Sequence, residues 1–149
     1  MTGDSANAQL AAARGAVGAA ADVVIGGAGN KILAVAEGRA DVALMHFGTS
    51  LWDTCAPEAV LRAAGGKLTD LFGAPLRHSV DRPGGGLVNE LGVLATAAGL
   101  AQVDPHGRDH AALAAAMRAS ADLRLALLTS HMVEWCIFPH ATHVESAWN

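Results

Sequence analysis

Positive charge is not in excess in this chain: ten Lys and Arg stand against 14 Asp and Glu, for a net charge of -4 over 149 residues. A basic groove for a nucleic-acid polymer is therefore excluded as its main theme. Long apolar runs are also missing. Although 52% of the residues are hydrophobic, Gly, Asp or Arg breaks every stretch well short of the roughly 20 residues a membrane span requires. Residues 1–9, MTGDSANAQ, show no basic region followed by an apolar core, so no secretory leader is visible. Cysteine is scarce, and Cys55 and Cys136 lie far apart with no metal-ligand spacing such as CxxC. Reduced thiols in a cytoplasmic protein are expected. What remains is enough apolar material for one ordinary domain.

Periodicity divides that material into alternating helices and strands. Residues 6–17 are alanine-rich and helical in propensity, 22–25 (DVVI) form a short β-branched run, and 29–37 restore helical spacing through Ile32, Leu33 and Val35. Residues 40–47 (ADVALMHF) read as a strand and 54–64 as a helix with Ala56, Val60, Leu61 and Ala64 on one stripe. Pro57 then falls in the first turn, where its missing N–H costs least. Gly65 and Gly66 end this helix as a C-cap pair, followed by strands over 67–71 and 91–96. The glycine-rich loop 81–86 (DRPGGG) between them faces solvent. The order αβαβαβ, loop, βα argues for an α/β layer architecture. Beyond about Ser120 no cap, turn pair or clean period continues the pattern, so residues 1–119 are read as the domain and 120–149 as a poorly specified tail. Cys136, His140 and His143, with His131 nearby, have a spacing zinc tolerates, but no second Cys pair anchors it.

Two segments carry chemistry. The first is IGGAGNK, residues 25–31, which follows an apolar run and opens a helix. Gly26, Gly27 and Gly29 would let backbone N–H groups approach an anion at the positive helix end, with Lys31 one turn in to add a full charge. The glycine spacing is neither that of a Walker A loop nor GxGxxG. The plainer alternative is a tight turn with Lys31 as a solvated surface charge. The second segment is LWDTCAPEAVLRAAGGKLTDLFG, residues 51–73. Asp53 stands at a helix mouth, where a carboxylate commonly caps the helix. Trp52, Cys55 and Ala56 make its surroundings look apolar, and a carboxylate held there is best explained by a cation partner. Glu58 reads as compensation for the helix dipole, His46 as a packing or pocket-rim residue, and His78 as solvent-exposed.

Taken together, GGAGNK, WDTCAPE and AGGKLTDLFG resemble the inositol monophosphatase-like, lithium-sensitive phosphatases. The pattern is carried by Trp52, Asp53, Ala56, Ala64, Gly65, Gly66, Asp70 and Gly73, and extends from about Asp22 to Thr96. Within that superfamily the strings look most like the 3'(2'),5'-bisphosphate nucleotidases, which convert adenosine 3',5'-bisphosphate to AMP. The resemblance implies a layered α-β-α sandwich, of which this chain looks like the C-terminal half. It also implies Mg²⁺ as cofactor, with Asp53 as one ligand, and a nucleotide bisphosphate or AMP contacted by Gly27, Lys31 and, through a weaker match, Thr2. The family's Asp-Pro-x-Asp-Gly-Thr motif occurs nowhere in the sequence. A two-metal phosphoryl transfer needs more than one carboxylate, so turnover by this chain alone is not expected. An inositol monophosphatase or inositol polyphosphate 1-phosphatase, and a non-catalytic nucleotide-binding fragment, are the alternatives. A half-fold would also expose a sheet edge that favours self-association.

Overall fold

A computed structural model describes residues 8–19, 21–45, 48–81, 86–100, 109–122 and 125. Thr2, His46, most of the segment 120–149 and the tail's Cys136, His131, His140 and His143 lie outside the described residues. The elements run α1 (Ala8–Val17), α2 (Ala28–Ala36), β1 (Val42–Met45), β2 (Thr49–Ser50), α3 (Leu51–Ala63), β3 (Lys67–Thr69), β4 (Val88–Asn89), β5 (Val93–Thr96) and α4 (His110–Ala119).

Strands β1, β5 and β3 form one antiparallel sheet in the order β1-β5-β3, with Leu44 opposite Leu94 and Leu68 opposite Ala95. Side chains alternate across a strand, and here both faces are apolar. Leu44 and Leu94 point to a cluster with Ala13 and Val17 of α1 and Leu113, Ala114 and Met117 of α4. Ala43, Met45, Val93 and Ala95 point the other way, onto Ile32 and Val35 of α2 and Leu61 of α3. Two helices therefore cover each face, giving the expected α-β-α layering. The central strand β5 is buried at all four positions.

The expectations for two segments need correction. Residues 22–25 form no strand: only Val24 makes an isolated bridge, and Val23 and Val24 remain 51% and 58% exposed. Their β-branched side chains favour an extended backbone, but packing rather than propensity makes a strand. Helix α3 begins at Leu51, three residues early, because Ser50 supplies the N-cap and Asp53 closes a capping box behind it. Its buried face is consequently Leu51, Thr54 and Leu61, while Ala56, Val60 and Ala64 are exposed. Pro57 falls inside the helix instead of in its first turn.

The C-terminus of α3 follows the sequence closely. Gly65 N–H donates to Arg62 O at 3.0 Å and Gly66 N–H to Leu61 O at 2.9 Å, the paired bonds of a Schellman motif. Asp70 then shapes the turn after β3, its Oδ1 accepting from Phe72 N at 2.9 Å and Ala74 N at 2.8 Å.

Candidate active site

The glycine turn places Gly27 at the N-cap of α2 with φ 76° and ψ 130°, a backbone conformation that a side chain disfavours. No side chain caps this end, so the first-turn N–H groups of α2 are left without a side-chain acceptor, as at helix ends that hold anions. Lys31 is not a solvated surface charge. It is buried, 6% exposed, and its Nζ donates to Gly27 O at 3.3 Å. The ammonium thus stands over the glycine turn, with its stem packed in the helix layer.

Asp53 occupies the third position of α3, and its Oδ2 accepts the Ser50 N–H at 3.0 Å. The structural half of its sequence reading therefore holds in modified form, as a capping-box acceptor with Ser50 as the cap. The apolar surroundings do not exist: Trp52 is 68% exposed, and Cys55 and Ala56 are exposed as well. Among the described residues Oδ1 of Asp53 has no partner, on a side chain that is half-buried.

The two segments meet. A Cβ built on Gly29 would lie 3.3 Å from Pro57 Cγ and 3.5 Å from the Asp53 carbonyl oxygen. The first turn of α2 is thus in contact with the turn that carries Asp53, although 21 residues of chain lie between Lys31 and Asp53. A Cβ at position 29 would be a tight fit here, and Pro57 would have to give by a few tenths of an ångström to admit it.

Behind Asp53 lies a polar cluster that the sequence did not disclose. Thr54, fully buried, places Oγ1 2.9 Å from His78 Nε2 and accepts from Asn89 Nδ2 at 3.2 Å. His78 Nδ1 lies 3.3 Å from Glu58 Oε2, and Asn89 Nδ2 also donates to Thr49 Oγ1 at 3.0 Å. His78 is thus not solvent-exposed, and Glu58, well past the first turn, serves this pair instead of the helix dipole. The one signal available was the four-residue spacing of Thr54 and Glu58, which puts both on one helix face. His78 and Asn89 arrive from loops whose path no periodicity encodes.

The antiparallel sheet between paired helices and the glycine-lysine turn against an acidic helix mouth define the class. The model of the inositol monophosphatase family matches residues 4–122, and the chain belongs to that family. It is 48% identical over 73 residues to 3'(2'),5'-bisphosphate nucleotidase 1 of Homo sapiens, a stretch that covers 48% of this chain and 23% of the human protein. It is 44% identical over 57 residues to 3'-phosphoadenosine 5'-phosphate phosphatase of Mycobacterium tuberculosis, covering 38% of this chain and 21% of that protein. Two solved structures share its fold: SaIMPase-II bound to 2'AMP, at a TM-score of 0.58 and 16% identity, and SaIMPase-II bound to inositol monophosphate, at 0.56 and 19%. Each covers 89% of this chain, which spans 46% of the solved chain, about half its length.

Proposed function

We propose that this chain is the C-terminal part of a Mg²⁺-dependent phosphomonoesterase that removes the 3'-phosphate of adenosine 3',5'-bisphosphate, leaving AMP. The observation that carries the reading is the packing of the Gly27–Lys31 turn against the Asp53 turn, with Gly29 as the point of contact. This contact between the two backbone turns supports a reading in which the first turn of α2, Lys31 and Asp53 serve one site. The names of the human and mycobacterial relatives support a nucleotide bisphosphate as the ester.

In this reading the backbone at Gly27 and the Lys31 ammonium bind a phosphate of the nucleotide, and Thr2 adds a contact. Asp53 holds the ion. Mg²⁺ keeps much of its water and takes one or two carboxylates together with substrate phosphate oxygens. The free Oδ1 of Asp53 fits one such ligand position, and among the described residues no cluster of three ligating side chains completes a shell. When bound, ions of this kind supply a hydroxide and neutralise the leaving oxygen. The chain's own residues orient and neutralise phosphate. Inhibition by lithium and the absence of turnover by the isolated chain belong to the same reading. Among the described residues no helix is long and apolar enough to cross a membrane.

Calorimetric titration separates this reading from its inositol counterpart. AMP is expected to bind the chain more tightly than inositol 1-phosphate, and Lys31→Met to weaken AMP by about tenfold, the loss of one charge-assisted phosphate contact. Preference for inositol 1-phosphate would sink the nucleotidase assignment.

A further inference from the structure

Pro57 has no N–H to offer the Asp53 carbonyl four residues earlier, so the helical ladder is interrupted at that residue. Something else must fix the turn that carries the carboxylate. The structure supplies a side-chain lattice in its place. Thr54 Oγ1 lies 3.2 Å from Leu51 O, 2.9 Å from His78 Nε2 and 3.2 Å from Asn89 Nδ2. Through these contacts the first turn of α3 is tied to the loop after β3, to β4, and through Thr49 to β2. Glu58 lies against His78 Nδ1, with Arg62 3.9 Å away on its outer side.

The donors and acceptors balance. A hydroxyl has one proton and two acceptor sites, and the Asn89 amide fills one of the latter. With neutral His78 giving its Nδ1–H to Glu58, Nε2 accepts the Thr54 proton. With His78 protonated, Nε2–H donates to Thr54, whose proton turns to the Leu51 carbonyl. Either arrangement keeps the turn tethered. These assignments follow from the network itself.

We propose that Thr54 and His78, supported by Glu58 and Asn89, are positioning residues for the ion ligand Asp53. The proposal rests on the reading of Asp53 as a ligand. Thr54 is fully buried and cannot touch an ion or substrate, so it acts through the backbone it shares with Asp53. With Oδ2 held by Ser50 N–H and the main chain fixed from behind, Oδ1 is presented in one direction. Outer-shell partners of this kind typically change metal affinity by about 10–100-fold.

Mn²⁺-induced broadening of backbone amide resonances, recorded on the full chain, measures even weak ion binding. The apparent Mn²⁺ affinity near Asp53 is expected to fall about tenfold in Thr54→Val and in His78→Leu. In Thr54→Ser, which keeps the hydroxyl, it should stay within about twofold of wild type, and Asp53→Asn should remove it. The amide spectrum of each variant reports folding at the same time, and if Thr54→Val does not fold, His78→Leu decides. Wild-type affinity in a folded Thr54→Val or His78→Leu, while Asp53→Asn abolishes binding, overturns the positioning role alone. Equal losses in Thr54→Ser and Thr54→Val overturn it too, because shape and not the hydroxyl would then matter. Unchanged binding in Asp53→Asn removes the ligand reading, and the proposal with it.

Discussion

His110, at the first position of α4, shows how a polar side chain is accommodated in this core. Its Nε2 lies 2.9 Å from Thr69 Oγ1 and its Nδ1 2.7 Å from Thr96 Oγ1, so the imidazole clamps β3 to β5. Because Thr69 gives its proton to the Asp70 carbonyl, Nε2 must carry the hydrogen and Nδ1 must accept from Thr96. A neutral ring satisfies this arrangement, whereas an imidazolium would take from the Thr96 hydroxyl proton its ring acceptor. Burial first, and then the nearby Lys67 charge, lower its pKa from 6.5 to about 4, against a smaller opposing effect of Asp109. Below pH 6.5 the unfolded chain takes up a proton that the folded chain refuses until about pH 4. Stability is therefore full above pH 6.5 and declines as the pH falls from there to about 4, by up to about 3 kcal/mol. Urea denaturation at pH 7.5 and pH 5 checks this, and His110→Gln should flatten the difference. Residue-level chemistry was only partly legible beforehand. The glycine-lysine turn and Asp53 stood out by residue type, whereas the burial of Lys31 and the partners of His78 depend on contacts made across the fold.

At the scale of elements, α3 explains both what was readable and what was missed. Its end was plain because two consecutive glycines have few other uses after an apolar helix, and the Schellman bonds follow from them. Its start lies three residues before the expected Thr54, because Ser50 is the cap and Asp53 completes the box three residues later. The exposed run 22–25 misled for the opposite reason, since β-branched residues signal a strand only when a neighbour pairs with them. Gly66 gives a direct test of the helix-to-strand junction. A Cβ there would lie 2.4 Å from Leu61 Cδ1 and 2.6 Å from the Thr96 carbonyl, and the backbone atom cannot yield cheaply. Gly66→Ala should destabilise the chain by about 1–3 kcal/mol, read as a lower urea midpoint at unchanged slope. An unchanged midpoint would mean that β3 and β5 can separate without cost.

For the whole molecule, apolar surface is distributed unevenly. The two core clusters close both faces of the sheet, yet Val23, Val24, Trp52 and Val60 are all at least half exposed. Among the described residues β1 and β3 each pair only with β5, so the three-stranded sheet has two open edges. Exposed apolar side chains beside open edges favour association. Sedimentation velocity is expected to show concentration-dependent oligomers, reduced in Trp52→Lys, whereas a monomer with a sharp, cooperative melt would refute this. The layered architecture was legible from alternating periodicity, because two-sided burial of a strand such as β5 leaves a continuous apolar run in the sequence. The central claim is that the glycine-lysine turn and Asp53 form one corner of a phosphate and ion site. It is tested most directly by the Mg²⁺ dependence of AMP affinity, measured by calorimetry on the wild-type chain and on Asp53→Asn. Mg²⁺ should tighten AMP binding to the wild type and leave the variant unaffected. AMP binding that ignores Mg²⁺ in the wild type, or responds to it equally in both, would contradict the account.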